Sequence, residues 1–144
     1  MLRRLTILLL IVGCEKQINE DSRHGIQWGN NLDSALTLAS NSNKIIMMDF
    51  MAEWCPPCEE MDKKTFSNTN IIKKSNEFIP IRIDVDKQKD IAEEYNGNAR
   101  KYGGIGIPNI LFLDKEKNII RQIVGFHNVE QLMGIMDSVL MKLY

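Results

Sequence analysis

The sequence predicts an α/β fold in which helices flank both faces of a central mixed β-sheet. Helical and strand patterns alternate along the chain in the order α-β-α-β-α-β-β-α, which is typical of this class. The run from Lys44 to Met51 is apolar except for Asp49, as in a strand that is buried on both faces. The last two strand patterns are joined by a short turn, so they form an antiparallel hairpin and make the sheet mixed.

The elements of the N-terminal half follow from caps and periodicity. Asn31 or Asp33 can cap a first helix, which the buried strand follows. Two helical stretches, 59–64 and 67–75, come after that strand. The stretch 78–85 has isoleucine at alternate positions, which predicts the second strand.

The C-terminal half carries the other elements. A charged stretch, 86–102, has a helical pattern and is ended by glycines ahead of Pro108. Strands at 110–113 and 119–124 form the hairpin. The last stretch, 128–143, places its apolar residues on one face of a helix.

Length and composition fit one globular domain. The chain has 144 residues, of which 44% are hydrophobic and 26% charged. The formal net charge is −1, so the chain lacks the basic footprint of a protein that binds nucleic acid.

The start of the chain differs in kind from the rest. Arg3 and Arg4 precede a short apolar run that ends at Gly13, which is the pattern of a secretory signal peptide. The run is too short for a helix that spans a bilayer, which needs about 20 residues. Residues 14–27 are polar and without periodicity, and we interpret them as a flexible tether for a folded domain at 28–144.

Residues 11–14, Ile-Val-Gly-Cys, resemble the lipobox of bacterial lipoproteins. In those proteins the signal is cut before the cysteine, which then carries a diacylglyceryl group. The resemblance implies that 1–13 is the signal peptide, that Cys14 is lipidated, and that the protein is lipid-anchored to a membrane. The chain has three cysteines, so without lipidation one of them would be left as a reactive thiol. Lipidation of Cys14 leaves Cys55 and Cys58 as a pair.

The Cys55–Cys58 pair is the predicted chemical centre. It follows a buried strand and opens a helix, the context of a thiol–disulfide redox motif. The amides and partial positive charge of a helix N-terminus favour a thiolate, which is the nucleophilic form. Cys55 would attack a partner disulfide, and Cys58 would resolve the mixed disulfide. The reaction needs no cofactor beyond this redox-active disulfide, and we predict no metal.

Three separated segments resemble the thioredoxin superfamily and imply its fold. They are 49–58 (DFMAEWCPPC), 102–109 (YGGIGIPN, the segment of the cis-proline) and Val124-Gly125. Within the superfamily, Trp28 and 58–67 (CEEMDKKTFS) are most similar to the C-terminal periplasmic domain of the transmembrane thiol:disulfide interchange reductases.

The resemblance implies roles for two acids. Asp49 matches a buried acid that helps to move the proton of the second cysteine, and burial without a partner would raise its pKa. Asp62 lies one helical turn after Cys58 and matches an acid of the interchange domains; the alternative is a solvated carboxylate. Arg82 or Asp84 could reach under the site from the next strand, but we favour the interpretation of both as surface residues.

The resemblance also implies a substrate-binding surface. Pro108 would have a cis peptide bond, and the backbone of Ile107 would pair with the bound partner strand. Trp54 would pack beside the sulfurs, and Pro56 and Pro57 complete this surface. The partners would be other exported thiol or disulfide proteins together with a membrane electron donor, on the periplasmic side of the bacterial envelope.

Two features predict that the dithiol is reducing rather than oxidising. Pro56 and Pro57 have no N–H to donate to the Cys55 thiolate, and the helix is expected to start at Pro57. Several acids also surround the site, and like charge disfavours a thiolate; they are Glu53, Glu59, Glu60 and Asp62. A strong oxidant needs a stabilised reduced form, which these features oppose.

Two alternatives stay open. A reductase for cytochrome c maturation shares the Trp-Cys-x-Pro-Cys pattern, but it usually has an extra segment that the short stretch between Cys58 and Ile79 does not accommodate. A carrier of Cu or Zn would use the two thiolates. A closed zinc site, however, needs four ligands, and the domain has no third cysteine.

Overall fold

The computed structural model describes residues 25–96 and 106–143. The helices among them are α1 (Leu32–Ser42), α2 (Pro56–Met61), α3 (Thr69–Ser75), α4 (Lys89–Ile91) and α5 (Val129–Leu140). Helix α2 continues into a π-helical segment, Asp62–Phe66, α4 into another, Ala92–Asn96, and α5 into a 3-10 turn, Met141–Leu143. The strands are β1 (Ile46–Met51), β2 (Ile79–Asp84), β3 (Asn109–Leu113) and β4 (Ile119–Val124).

The four strands form one mixed sheet in the order β2-β1-β3-β4. Strand β1 pairs in parallel with β2 and antiparallel with β3, and β3 pairs antiparallel with β4. The central position of β1 explains its nearly continuous apolar sequence, because both faces and both edges are covered. The predicted mixed sheet is therefore confirmed.

Two hydrophobic layers cover the two faces of the sheet. On one face Met48 and Phe50 of β1 pack in a cluster with Ala35 and Ala39 of α1. On the other face Met47 belongs to a cluster that includes residues of α3 and α5. This alternation along β1 places helices on both faces, as predicted.

Several helix boundaries differ from the prediction, and two of the differences have a clear physical cause. Helix α2 begins at Pro56 rather than Pro57, because Cys55 is its extended N-cap residue and the first turn needs no N–H from a proline. The charged stretch predicted to be helical from residue 86 begins helically only at Lys89, since backbone turns from Asp84 occupy the residues before it. The remainder of that stretch, 97–102, lies outside the described residues.

The segment between the active-site helix and β2 is short. It holds only α3, which Asn68 caps by accepting the N–H of Asn70. No inserted subdomain separates the two elements, so the feature expected of the cytochrome c maturation alternative is missing from this part of the chain.

The described N-terminal residues pack on the sheet. Ile26 is buried in the α3 and α5 layer, and the ring of Trp28 meets that of Phe66 edge-on at 5.2 Å between centroids. Cys14 and the predicted signal peptide lie outside the described residues. Within 25–96 and 106–143, no helix has the length and apolar character required to cross a membrane.

Candidate active site

The Cys55–Cys58 disulfide lies where the central strand gives way to α2. Strand β1 ends at Met51, and a tight turn in which the N–H of Cys55 donates to the carbonyl of Ala52 leads into the helix. The two cysteines are joined by a disulfide with Cα atoms 5.3 Å apart. Both are nearly buried, at 3% and 4% exposure, so reaction with a partner requires close docking against this end of the sheet.

The Cys55 sulfur accepts only one of the helix amides in reach. As N-cap residue, Cys55 can accept from the second and third residues of the helix. The third is Cys58, whose N–H lies 3.3 Å from the sulfur, but the second is Pro57, which has no N–H. These contacts are those of the disulfide form, in which the sulfur stands in for the thiolate of the reduced form.

The acids around the site all have cationic partners. Glu53 pairs with Lys87 at 2.7 Å, and Glu60 pairs with Lys64 at 2.7 Å, while Glu59 is bonded to Lys63. The hydrogen bond from Lys63 lowers the pKa of Glu59. The local field is therefore far less negative than a count of acids predicts, and this weakens the second argument for a reducing dithiol.

Asp49 is a buried carboxylate on β1 with one charged partner. It is 1% exposed, and burial raises its pKa to about 6, against the lowering effect of Arg82. Its Oδ2 accepts the Nε–H of Arg82 at 2.9 Å, whereas Oδ1 has no hydrogen-bond partner. The predicted rise of the pKa is confirmed in direction, and a group with a pKa of about 6 can accept and release a proton near neutral pH.

Arg82 joins the two predicted acids, and its interpretation as a surface residue was wrong. The parallel register places it directly opposite Asp49, and its Nη2 also donates to Asp62 Oδ1 at 2.6 Å. Its guanidinium carbon lies 4.5 Å from the ring centroid of Trp28 and 5.4 Å from that of Phe66. Asp49, Arg82 and Asp62 thus form one hydrogen-bonded chain from the core to the surface, where Asp62 is 41% exposed.

The sequence contained one signal for Arg82. A buried acid needs a cation or several donors, and Arg82 is the one cation in the isoleucine-rich strand that pairs with β1. Asp84, on the same strand, instead accepts from Lys87 at 3.0 Å.

Trp54 is a surface residue in this structure. Its side chain is 55% exposed, and its indole N–H donates to Asp86 Oδ2 at 2.6 Å. The loop that follows β2 therefore holds the indole of Trp54, the residue before Cys55, at the surface.

The Ile107–Pro108 peptide bond is cis, as predicted. Ile107 belongs to the same hydrophobic cluster as Cys55 and Cys58, so this segment and the disulfide are part of one core layer. The carbonyl of Pro108 accepts the N–H of Gly125 at 2.8 Å. Gly125 has φ +89°, a backbone conformation that favours glycine. The preceding residues of this motif, 102–105, lie outside the described part of the chain.

The described residues offer no evident metal centre. In 25–96 and 106–143, no three residues among His, Cys, Asp and Glu are grouped so that they could hold a metal ion. Met47, Met48 and Met61 are fully buried in the core layers.

Comparisons with known proteins agree with this geometry. Residues 32–140 match the family model of the thioredoxin-like domain. The thiol:disulfide interchange protein DsbD of Haemophilus influenzae (strain PittGG) is 27% identical over 106 residues, which are 72% of this chain and 18% of that protein. DsbD of Pectobacterium atrosepticum is 32% identical over 102 residues, 69% of this chain and 17% of that protein. The chain thus spans less than a fifth of the length of these relatives.

A solved structure shows the same fold. The C-terminal domain of DsbD from Neisseria meningitidis, in the oxidised form, superposes with a TM-score of 0.58 at 20% identity. The superposition covers 77% of this chain and 97% of that domain. The chain belongs to the thioredoxin-like domain family.

Proposed function

We propose that the protein is an exported, membrane-anchored reductase that transfers electrons from the Cys55–Cys58 dithiol to disulfides of other exported proteins. The observation that carries the proposal is the disulfide at the N-terminus of α2, whose cysteines share a hydrophobic cluster with Ile107 of the cis Ile107–Pro108 bond. In this proposal the Cys55 sulfur reacts while the backbone at Ile107 pairs with an extended partner chain.

The reaction proceeds in two exchange steps. In the reduced protein the Cys55 thiolate attacks one sulfur of the partner disulfide, which forms a mixed disulfide and releases the other partner sulfur as a thiolate. The Cys58 thiol then loses its proton and attacks the Cys55 sulfur, which restores the disulfide of the structure and frees the second partner thiolate. Two electrons pass to the partner, and a dithiol donor must return two electrons before the next cycle.

Asp49 is the group that we assign to the proton of Cys58. Its pKa of about 6 leaves it mostly ionised at neutral pH, so it can take up a proton, and it is poised to release it again. Its unpartnered Oδ1 has the acceptor capacity for this role. The negative charge of Asp62, which Arg82 holds at the surface, adds to the rise in the pKa of Asp49.

The location and the partners belong to the same proposal. The name of the DsbD relatives, thiol:disulfide interchange protein, suggests exchange with other thiol or disulfide proteins. Residues 1–14 suggest export and lipid attachment at Cys14, which would place the domain on the periplasmic side of the cell envelope. A membrane dithiol protein would be the electron donor.

The reduction potential tests the direction of transfer. The full chain with Cys14→Ser, which leaves only two thiols, is equilibrated against dithiothreitol or glutathione buffers, and the fraction oxidised is measured. A value near thioredoxin's, about −270 mV, supports a reductase, whereas one near about −120 mV means an oxidant and contradicts the proposal. Insulin reduction with Cys58→Ser as the inactive control then shows whether both cysteines are used.

The anchor is tested separately. Expression of the wild type and of Cys14→Ser in a bacterial host, followed by fractionation and mass analysis of the N-terminus, distinguishes a lipidated from a free protein. Wild-type protein that is released without added lipid would contradict the anchor while leaving the redox proposal intact.

A further inference from the structure

The loop after β4 is tied to the active-site helix by side chains. The backbone N–H of His127 lies 3.1 Å from the sulfur of Met61, and its carbonyl accepts the hydroxyl of Thr65 at 2.7 Å. Met61 and Thr65 are both fully buried, and they follow Cys58 at one-turn intervals in the same helical segment. Both backbone groups of one loop residue are therefore held by the element that carries the cysteines.

The same loop holds the cis-proline segment from its other end. Gly125 donates its N–H to the carbonyl of Pro108 at 2.8 Å, and its own carbonyl lies 2.9 Å from the Nδ1 of His127. The loop 125–127 thus connects the active-site helix to Pro108 through a continuous set of hydrogen bonds. A shift of this loop relative to the helix would move Pro108 relative to Cys55.

We propose that Met61 and Thr65 are positioning residues, which hold the loop 125–127 and through it Pro108 in the alignment with Cys55 that a partner protein needs. The inference rests on the proposed function, because it concerns the docking of a protein disulfide. The hydroxyl of Thr65 is the stronger of the two contacts, since sulfur is a weak acceptor. Met61 and Thr65 bond to the backbone of His127 and not to the disulfide, so we expect their replacement to leave the redox equilibrium of the pair unchanged.

The role predicts a selective defect. With Thr65→Val, the carbonyl of His127 loses its buried donor, and kcat/KM for insulin reduction falls by about three- to tenfold, the effect of one neutral hydrogen bond. A small disulfide such as Ellman's reagent needs no aligned backbone, so its rate of reaction with the reduced protein stays within about twofold. The oxidation equilibrium with glutathione is also unchanged.

Two variants separate positioning from folding. Thr65→Ser keeps the hydroxyl and restores insulin reduction. Ser75→Ala removes an equally buried hydroxyl that bonds the carbonyl of Ile72 in its own helix, and it serves as the matched control. All proteins are compared as full chains carrying Cys14→Ser, and thermal unfolding confirms that each variant is folded at the assay temperature.

The outcomes are distinct. Loss of insulin reduction in Thr65→Val alone, with the small disulfide unaffected, supports the positioning role. Equal rates for Thr65→Val and Ser75→Ala with insulin overturn it and leave the proposed function standing. A wild type that reduces neither disulfide overturns the proposed function, and the positioning role with it.

Discussion

Replacing Arg82 with methionine tests whether its guanidinium sets the protonation state of Asp49. Methionine keeps an unbranched apolar side chain against Trp28 and Phe66 but leaves Asp49 without its cation. Arg82 is the largest influence that opposes the effect of burial on the Asp49 carboxyl. Its removal therefore moves the pKa of Asp49 from about 6 to a higher value.

The size of the effect follows from linkage. The pKa of Asp49 rises from 3.8 to about 6 on folding, which corresponds to roughly 3 kcal/mol. Because the folded carboxyl binds its proton more tightly, this stability is fully present below about pH 4 and is lost as the pH rises to about 6. Above that pH the contribution of Asp49 to the stability of the wild type no longer changes. The stability of Arg82→Met continues to fall by about 1.4 kcal/mol per pH unit until the higher pKa of its Asp49 is reached.

The cost at neutral pH is limited by protonation. Removing one partner of a buried ion pair usually costs about 3–5 kcal/mol. Here Asp49 can instead take up a proton, which at pH 7 costs only about 1.4 kcal/mol for a pKa of about 6. The partly exposed pair with Asp62 adds at most about 1 kcal/mol. We expect Arg82→Met to be destabilised by about 1.5–2.5 kcal/mol at pH 7.

The loss of stability in Arg82→Met and its pH dependence are measured by urea unfolding of the oxidised full chain at a series of pH values. Asp49→Asn is the control, because it has no titrating group at this position and should lose the slope between about pH 4 and 6. In the double variant Arg82→Met with Asp49→Asn, the free energy of unfolding should likewise show no slope from this position. Parallel curves for the wild type and Arg82→Met between about pH 6 and 8 would refute the assigned role of Arg82.

Two further predictions concern helix N-termini. Asn128→Ala removes the capping box with Gln131 at the start of α5 and should cost about 1 kcal/mol in urea unfolding, and an unchanged midpoint would contradict this. Pro57→Ala restores the missing amide at the second helical position, which stabilises the Cys55 thiolate and should raise the reduction potential measured against glutathione; a lower potential would contradict it.

The sequence predicted the parts of the site that depend on local pattern. The buried strand β1, the cysteine pair at a helix start and the cis Pro108 each lie in a short recognisable stretch. The sequence offered Arg82 as a residue that could reach under the site, but its pairing with Asp49 was not predicted, because it depends on the register of two strands that are distant in the chain. Alternation alone places Arg82 on the opposite face from Ile81 and Ile83, which is equally compatible with solvent.

The pairing of the acids near Cys55 with lysines could have been predicted in part. Glu59 with Lys63 and Glu60 with Lys64 have the i, i+4 spacing of helical ion pairs, which the sequence displays. The partner of Glu53 could not, since Lys87 comes from the loop after β2. The π-helical segment after α2 was also not foreseeable, because its only sequence signature is an ordinary helical pattern.

The structure changes which argument supports a reducing dithiol. The ion pairs near Cys55 are exposed and their opposite charges largely cancel, so the acids contribute little to the energy of the thiolate. A hydrogen bond to a charged group is worth about 1.5–3 kcal/mol, which for a two-electron couple is roughly 30–65 mV. The donor that Pro57 withholds from Cys55 therefore outweighs the surrounding charges. A low potential in the wild type that survives high salt, but rises in Pro57→Ala, is the result that this ranking of effects requires.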